Sequence, residues 1–290
     1  KYCHMKSENE ENENKISFEI IQTSKLNTSH LIVDGLLLNK GIIIFKSSCT
    51  LKTVSIFNIG SLISKEKVNI KISSFFKNAG RISINDLKID ANTVIQKFEN
   101  KFTPSIEGQN LLIQNSKNLI FKNGKIKVDN FTIDSQGPVI NECTINVLNK
   151  LVISVHPKQF FIQKGYLKTN CLNFSGDDSL FTNNGKLYIK KFTFHDGTTF
   201  ENISIYKASI NELNFANKKS KLVNTGDLTV LKGSLNKFIN AGIFNSDELT
   251  VNDLIVENQE NKKGKMNVEK LEISCSFTNN GFVSISFLNI

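Results

Sequence analysis

Apolar residues recur along this chain in one frame made of two short alternating pairs. An apolar residue is followed by another two positions later, by a third after three more, and by a fourth after two more. A period of two is typical of a strand with one buried face, and the three-residue step predicts a corner between two such strands. Four copies of the frame are Ile82, Ile84, Leu87 and Ile89; Leu187, Ile189, Phe192 and Phe194; Met266, Val268, Leu271 and Ile273; and Val283, Ile285, Leu288 and Ile290.

Glycines set the period of this repeat. Gly41, Gly60 and Gly80 are separated by 19 and 20 residues, and Gly165 to Gly185 is again 20. Self-similarity at such a period predicts a stacked solenoid of strands about four or five residues long. Many of the glycines follow an Asn-x phrase. We expect the glycine to adopt positive φ in this turn and the asparagine to tolerate the left-handed region.

The repeat predicts an all-β fold, a right-handed parallel β-helix with about 20 residues per coil. A meander or sandwich also uses Asn-Gly turns, but it would alternate turn types and strand lengths along the chain. Residues 1–15 are polar and repeat-free, which predicts a flexible lead-in or linker. Residues 16–290 are predicted to form a single β-helix of roughly 13–14 coils, as part of a longer polypeptide.

The core is predicted to be aliphatic with stacked phenylalanine, since the chain has 22 Phe and no Trp. One slot of the repeat recurs as phenylalanine, which favours a buried column over an exposed aromatic groove. Its members are Phe76, Phe121, Phe181, Phe238 and Phe277. Asparagine recurs at the turn and predicts a ladder of side-chain hydrogen bonds between coils. Its members are Asn78, Asn123, Asn183, Asn224, Asn240 and Asn279.

The net charge of +9 comes almost wholly from lysine, and Arg81 is the one arginine. Proteins that read nucleic acid depend on arginine for bidentate and stacking contacts. The lysines are spread over outward strand positions, so we predict a solvated surface and no nucleic-acid partner. Attraction to anionic glycans stays open. No stretch reaches 18 apolar residues, so no membrane insertion is predicted.

Five cysteines lack the spacing of a metal site, because there is no Cys-x-x-Cys and no histidine partner at ligand spacing. No metal and no cofactor is predicted. Cys49 and Cys143 both match the glycine slot of the repeat, which indicates small buried residues at a tight place. The odd number of cysteines argues against a complete disulfide framework.

Asp177 and Asp178 form the best local carboxylate pair, the kind of pair that sugar hydrolysis requires. They resemble the aspartate pair of polygalacturonase-type β-helix hydrolases. That family's Gly-His-Gly and Arg-Ile-Lys elements are absent, and Asp is common before turns. We therefore predict no catalytic residue and no enzyme. A polysaccharide-degrading β-helix hydrolase or lyase, tailspike-like, is the alternative. His156 and His195 are predicted to be surface turn residues.

The repeat unit resembles the haemagglutinin-type repeats of filamentous-haemagglutinin-like bacterial exoproteins, the two-partner-secreted adhesin stalks. The resemblance runs from about residue 40 to the end and rests on phrases such as Asn78-Ala-Gly80-Arg-Ile82 and Asn183-Asn-Gly185-Lys-Leu187. It implies an extracellular or cell-surface location and adhesion or display. A host-surface receptor or glycan, and the rest of the same long polypeptide, would be the partners. No catalytic residue carries over. A purely structural repeat protein is a further alternative.

Overall fold

The computed structural model describes residues 2–5, 16–96, 103–259 and 262–290. Within these ranges the chain consists of strands and turns, so no helix is present that could cross a membrane. The chain forms two compact units, Lys1–Leu148 and Asn149–Ile290. β13 (Thr144–Val155) contains the boundary between them.

The strands of the first unit are β1 (Tyr2–Met5), β2 (Ile16–Ile20), β3 (Lys25–Thr28), β4 (His30–Asn39), β5 (Ile42–Phe45), β6 (Cys49–Asn58), β7 (Ser61–Asn78), β8 (Arg81–Gln96), β9 (Ser105–Ser116), β10 (Asn118–Phe121), β11 (Lys125–Ser135) and β12 (Val139–Asn141).

The strands of the second unit are β14 (Phe160–Gln163), β15 (Tyr166–Ser175), β16 (Leu180–Asn183), β17 (Lys186–Phe194), β18 (Thr199–Asn202), β19 (Ala208–Phe215), β20 (Lys221–Asn224), β21 (Asp227–Asn240), β22 (Ile243–Val256), β23 (Asn258–Gln259), β24 (Lys262–Lys263), β25 (Lys265–Asn279) and β26 (Phe282–Asn289).

Each unit is a parallel β-solenoid in which every turn of the chain stacks on the equivalent turn before it. Phe181 of β16 is in register with Phe161 of β14 and with Phe200 of β18. One turn takes about 20 residues, and the two units together contain about 13 turns. The predicted parallel solenoid is confirmed. Its right-handed sense, the single-domain boundary at 16–290 and the flexible lead-in over 1–15 stay predictions, and residues 6–15 lie outside the described residues.

Strands that run through a corner are longer than the four or five residues expected from the repeat, whereas β14, β16, β18 and β20 have four residues each. β17 runs through the predicted corner, and β7 extends over 18 residues. The corner itself is visible where the inward alternation breaks, at the exposed pair Lys190 and Lys191. Hydrogen bonds continue around the corner because adjacent turns bend at the same register position, as in the pairing of β15 with β17.

The predicted phenylalanine slot is confirmed for four of its five members. Phe76, Phe181 and Phe238 are buried, and Phe277 is half-buried in the last turn. Consecutive aromatic rings occur around Phe181, whose ring centroid lies 4.8 Å from that of Phe161 in a stacked arrangement. Phe121 was placed wrongly, because the turn after the ladder slot has one extra residue in this copy, so that Leu119 takes the phenylalanine slot. Phe121 is buried instead in the asparagine slot, between Gln96 and Asn141.

The asparagine ladder is confirmed in both units, and the asparagines that it joins are fully buried. Asn279 was assigned to the ladder wrongly, because it is exposed and stacks on Val256, which offers no side-chain amide. In the first unit Asn39 donates to Asn58 at 2.7 Å, and Asn58 donates to Asn78 at 2.8 Å. The second unit repeats this through three bonds of 2.8 Å that join Asn183, Asn202, Asn224 and Asn240. Asn123 was assigned to the ladder wrongly. It is exposed with φ of 60°, since Phe121 fills the ladder slot of this copy and Asn123 lies in the longer turn that follows.

Most corner glycines of the repeat serve close approach and not positive φ, which corrects the expected turn chemistry except at Gly124, whose φ is 90°. Gly60, Gly80 and Gly185 have no positive φ. A Cβ on Gly80 would meet the carbonyl oxygen of Gly60 one turn earlier, and a Cβ on Gly185 would meet that of Gly165. Stacked turns can therefore pass this corner only where the side chain is absent or very small.

Candidate functional site

The carboxylate pair considered for catalysis lies in one of a column of tight turns in the second unit. Asp177 and Asp178 are both exposed, and Asp178 has φ of 52°. The main-chain carbonyl of Asp177 accepts a hydrogen bond from the Lys158 amide of the preceding turn at 2.9 Å. These contacts account for the two aspartates as turn residues.

The two histidines of the same column are turn residues at the surface, as predicted. His156 is exposed and His195 is half-buried, and each lies one turn of the solenoid from the Asp177 loop. The Ser179 hydroxyl donates to the main-chain carbonyl of His156 at 3.3 Å, which ties adjacent loops together. Within the described ranges, no three His, Cys, Asp or Glu side chains are grouped as metal ligands would be.

The two cysteines assigned to the glycine slot differ in position. Cys143 occupies that slot, and its amide donates to the Asn141 side chain at 3.1 Å, as the Gly80 amide does to Asn78. Cys49 was placed wrongly, since it begins β6 and stacks on Val68 in an apolar column. Burial raises the pKa of the Cys49 thiol to about 11 and that of the Cys143 thiol to about 12. Both thiols are therefore protonated packing residues at neutral pH.

The most distinctive exposed feature of the second unit is a patch of tyrosine and lysine, the Tyr–Lys surface. It consists of Tyr166, Lys168, Lys186, Tyr188, Tyr206 and Lys207. Three consecutive turns supply these residues, from the start of β15, the start of β17 and the segment before β19. Strand alternation directs them outward because their neighbours Leu167, Leu187 and Ala208 are fully buried.

Register places tyrosine beside lysine on adjacent turns of the Tyr–Lys surface. Tyr166 pairs with Lys186, and Lys168 pairs with Tyr188. The ring centroids of Tyr166 and Tyr188 are 5.6 Å apart with an interplanar angle of 39°. The Lys186 ammonium lies 5.5 Å from the ring centroid of Tyr206, within the range of a cation–π contact. Aromatic rings and cations therefore alternate along the stacking direction.

A buried serine holds the third tyrosine in place. Ser204 is fully buried, accepts a hydrogen bond from the Tyr206 amide at 3.0 Å, and donates to the Gly185 carbonyl at 2.9 Å. The Tyr206 ring remains 49% exposed, and Tyr188 is 42% exposed. Ile205 is exposed beside Tyr206 and enlarges the apolar part of the patch. The backbone is thus anchored while the side chains face solvent.

The lysines of the Tyr–Lys surface form no ion pair within the part of the chain that the structure describes, although Asp227 follows Lys207 in the next turn of the same register column. Among the described residues, no carboxylate forms an ion pair with Lys168, Lys186 or Lys207. The nearest paired lysine along the strands is Lys191, which lies 3.8 Å from Glu212 beyond the corner. A patch in which lysines outnumber carboxylates attracts anionic ligands. Tyrosine adds flat apolar area with a hydroxyl and few rotatable bonds, which suits a contact surface.

The Tyr–Lys surface was not predicted by residue number from the sequence. A 20-residue alignment of Tyr166-Leu-Lys168 with Lys186-Leu-Tyr188 is the signal that could have found two of its turns. Tyr206 belongs to an irregular turn that lacks the glycine, so its place depends on the hydrogen bonds of Ser204.

Comparison with known proteins gives no relative for this chain: no family model, no curated protein and no solved structure matches it.

Proposed function

We propose that this chain is the non-catalytic β-solenoid of a secreted or surface-exposed bacterial adhesin or exoprotein. In this proposal its lateral Tyr–Lys surface contacts glycans of a host surface, while the solenoid displays or spaces binding modules of the same long polypeptide. The haemagglutinin-type resemblance of the repeat supports the adhesin class. The observation that carries the proposal is the pairing of half-buried Tyr166 and exposed Tyr188 with the exposed lysines Lys186 and Lys168 on adjacent turns.

The physical case for a glycan rests on both chemistries of the Tyr–Lys surface. Pyranose rings present flat C–H faces that pack on aromatic rings, and their hydroxyls can bond to the tyrosine hydroxyls. Lysines add attraction to carboxylate or sulfate substituents. A stiff backbone beneath the patch lowers the entropy lost on binding, because Ser204 already orders the Tyr206 segment.

The non-catalytic assignment rests on the surroundings of the aspartate pair. Asp177 and Asp178 are adjacent exposed turn residues whose loop is held by main-chain hydrogen bonds to its neighbours. A glycosidase needs two carboxylates on opposite sides of the scissile bond, one of which protonates the leaving group. Adjacent residues on one exposed turn do not provide that enclosure.

The test is a panel of host glycans and microbial polysaccharides scored for binding and for bond cleavage in the same wells. The chain is used whole, with Asp177→Asn/Asp178→Asn as the matched variant. We expect binding to part of the panel, no cleavage products, and the same binding by the variant. Cleavage by the unaltered chain that is lost in the variant would show that the protein is an enzyme. Absence of binding to every glycan of the panel would contradict the glycan-binding role.

A further inference from the structure

A groove in the first unit follows the column of turn glycines. Gly41, Gly60 and Gly80 form its floor, and its volume is about 470 Å³. The groove exists because three successive turns lack a side chain at this corner. The floor spans two steps between stacked turns, or about 10 Å at the usual strand spacing.

The floor of this glycine groove offers contact area and little hydrogen bonding. The carbonyl oxygens of Gly41, Gly60 and Gly80 accept hydrogen bonds from Ser61, Arg81 and Ser105 at 2.8–3.0 Å. The Gly60 amide donates to the Asn39 carbonyl at 2.9 Å, and the Gly80 amide to the Asn78 side chain at 3.3 Å. A ligand on this floor therefore meets a flat surface whose carbonyl groups are already paired, which disfavours the addition of an extended peptide as a strand.

The rim of the glycine groove, unlike its floor, presents polar side chains that can form hydrogen bonds with a ligand. Gln22, Ser61 and Thr103 border it, and no side-chain hydrogen bond is formed by any of the three among the described residues. Ile42 and Ile59 add apolar walls, and Ile42 is 37% exposed. Polar groups at the edges of a largely apolar concave surface are typical of small-molecule sites.

Two cations, and no carboxylate, belong to the lining of the groove. They are Lys40 and Arg81. Each has a carboxylate partner outside it, Glu19 at 2.8 Å from Lys40 and Glu107 at 3.4 Å from Arg81. Both pairs are exposed to solvent and are therefore weak. An arginine in this setting can exchange its partner for a ligand carboxylate that it holds through two parallel hydrogen bonds.

We propose that the glycine groove of the first unit binds an acidic sugar segment of about disaccharide length. The C–H face of the sugar packs on the glycine floor, its hydroxyls bond to Ser61, Gln22 and Thr103, and its carboxylate bonds to Arg81. An alkyl chain would leave the rim side chains without partners, and a neutral sugar would gain nothing from the two cations. The proposal does not depend on the Tyr–Lys surface, which lies in the other unit.

The experiment is calorimetric titration of the whole chain with digalacturonate. Its dimethyl ester is the matched neutral ligand. Arg81→Gln tests the charge, and Lys125→Gln is its control, because Lys125 stands two turns further in the same register column. Ser61→Phe fills the groove, and Ser83→Phe is its control at another outward position of the same sheet. Circular dichroism confirms that each variant folds.

We expect saturable binding of digalacturonate that Ser61→Phe abolishes and that Arg81→Gln weakens about tenfold, the usual effect of losing a charged hydrogen-bond partner. Ser83→Phe and Lys125→Gln should bind as the unaltered chain does. Absence of saturable binding, equal binding of the dimethyl ester, or full binding by folded Ser61→Phe would each overturn the proposal. Because the ligand is short and the variants lie in the first unit, these outcomes are separate from those of the glycan panel.

Discussion

The side-chain amide of Asn202 donates to the side-chain oxygen of Asn224 at 2.8 Å, and both residues are fully buried. Asn183 in turn donates to Asn202 at the same distance. Each amide in this run is thus donor to one turn and acceptor from another. The ladder ties the turns together through polar groups that have no access to water, so the loss of one member leaves two buried partners unpaired.

Replacement of Asn202 by alanine is expected to destabilise the fold markedly. The change orphans the Asn183 amide and the Asn224 oxygen, and each unsatisfied buried group costs about 1–3 kcal/mol. Asn211→Ala is the control, because Asn211 is exposed and should change stability by about 0.5 kcal/mol or less. Urea denaturation followed by circular dichroism measures both. Equal midpoints for the two variants would mean that the ladder contributes nothing to stability.

Alanine at Gly185 is expected to lower stability by about 1–3 kcal/mol, as overpacking of a tight site does. The added Cβ would meet main-chain atoms of Lys164 and Gly165, which cannot move without shifting the neighbouring turn. Gly233→Ala is the matched change. Its Cβ would meet first the flexible tip of Leu249 at 2.9 Å, so it should be nearly neutral. Thermal unfolding compares them, and a neutral Gly185→Ala would contradict the close-approach explanation.

The thiols are expected to differ in reactivity according to burial. Cys143 has its pKa raised to about 12 by burial, so roughly one part in ten thousand is thiolate at pH 8. Cys275 is exposed. In a Cys3→Ser background, Ellman's reagent should modify Cys275 rapidly in the folded protein and Cys143 only after denaturation. Peptide mapping identifies the modified residue. Rapid modification of Cys143 in the folded state would show that its turn opens readily.

The carboxyl of Glu248 is expected to titrate below its ordinary range. A hydrogen bond from Lys232 and then the charge of that lysine lower the pKa of Glu248, and the two side chains are 3.0 Å apart. A lowered carboxyl pKa favours the folded state above the unfolded pKa, and this contribution is lost as pH falls through the folded value. It should be small because both groups are exposed.

Carboxyl chemical shifts measured against pH test this coupling. Lys232→Gln should return the pKa of Glu248 towards its ordinary range, and Lys221→Gln should leave it unchanged. An unaltered titration of Glu248 in Lys232→Gln would assign the lowered pKa to another cause.

The architecture could be predicted from the sequence because its signals repeat. The alternating apolar frame, the Phe181 column and the Asn183 ladder each recur at the solenoid period, so many copies support one inference. Phe121 and Asn123 were misplaced because one extra residue in the turn after Phe121 shifts which side chain enters the ladder slot. The corner glycines were recognised, but their role was not, since a contact between successive turns depends on how closely the backbones stack.

The Tyr–Lys surface and the glycine groove could not be predicted in the same way. Outward positions do not repeat, so a functional patch depends on which side chains of different turns meet. The cation–π contact of Lys186 with Tyr206 joins a regular turn to an irregular one. The repeat period alone does not predict which side chains of these two turns are adjacent.

The most direct test of the glycan-binding account is the affinity of Tyr188→Ala/Tyr206→Ala for the strongest ligand of the glycan panel. Phe282→Ala is the control, since Phe282 is an exposed aromatic residue outside the Tyr–Lys surface. Loss of two stacking rings should weaken binding by about tenfold or more, because each stacked aromatic ring contributes about 0.5–1.5 kcal/mol beyond its buried area. We expect that loss in the tyrosine variant and unchanged affinity in the control. Unchanged affinity in the tyrosine variant would contradict the assignment of glycan contact to this surface.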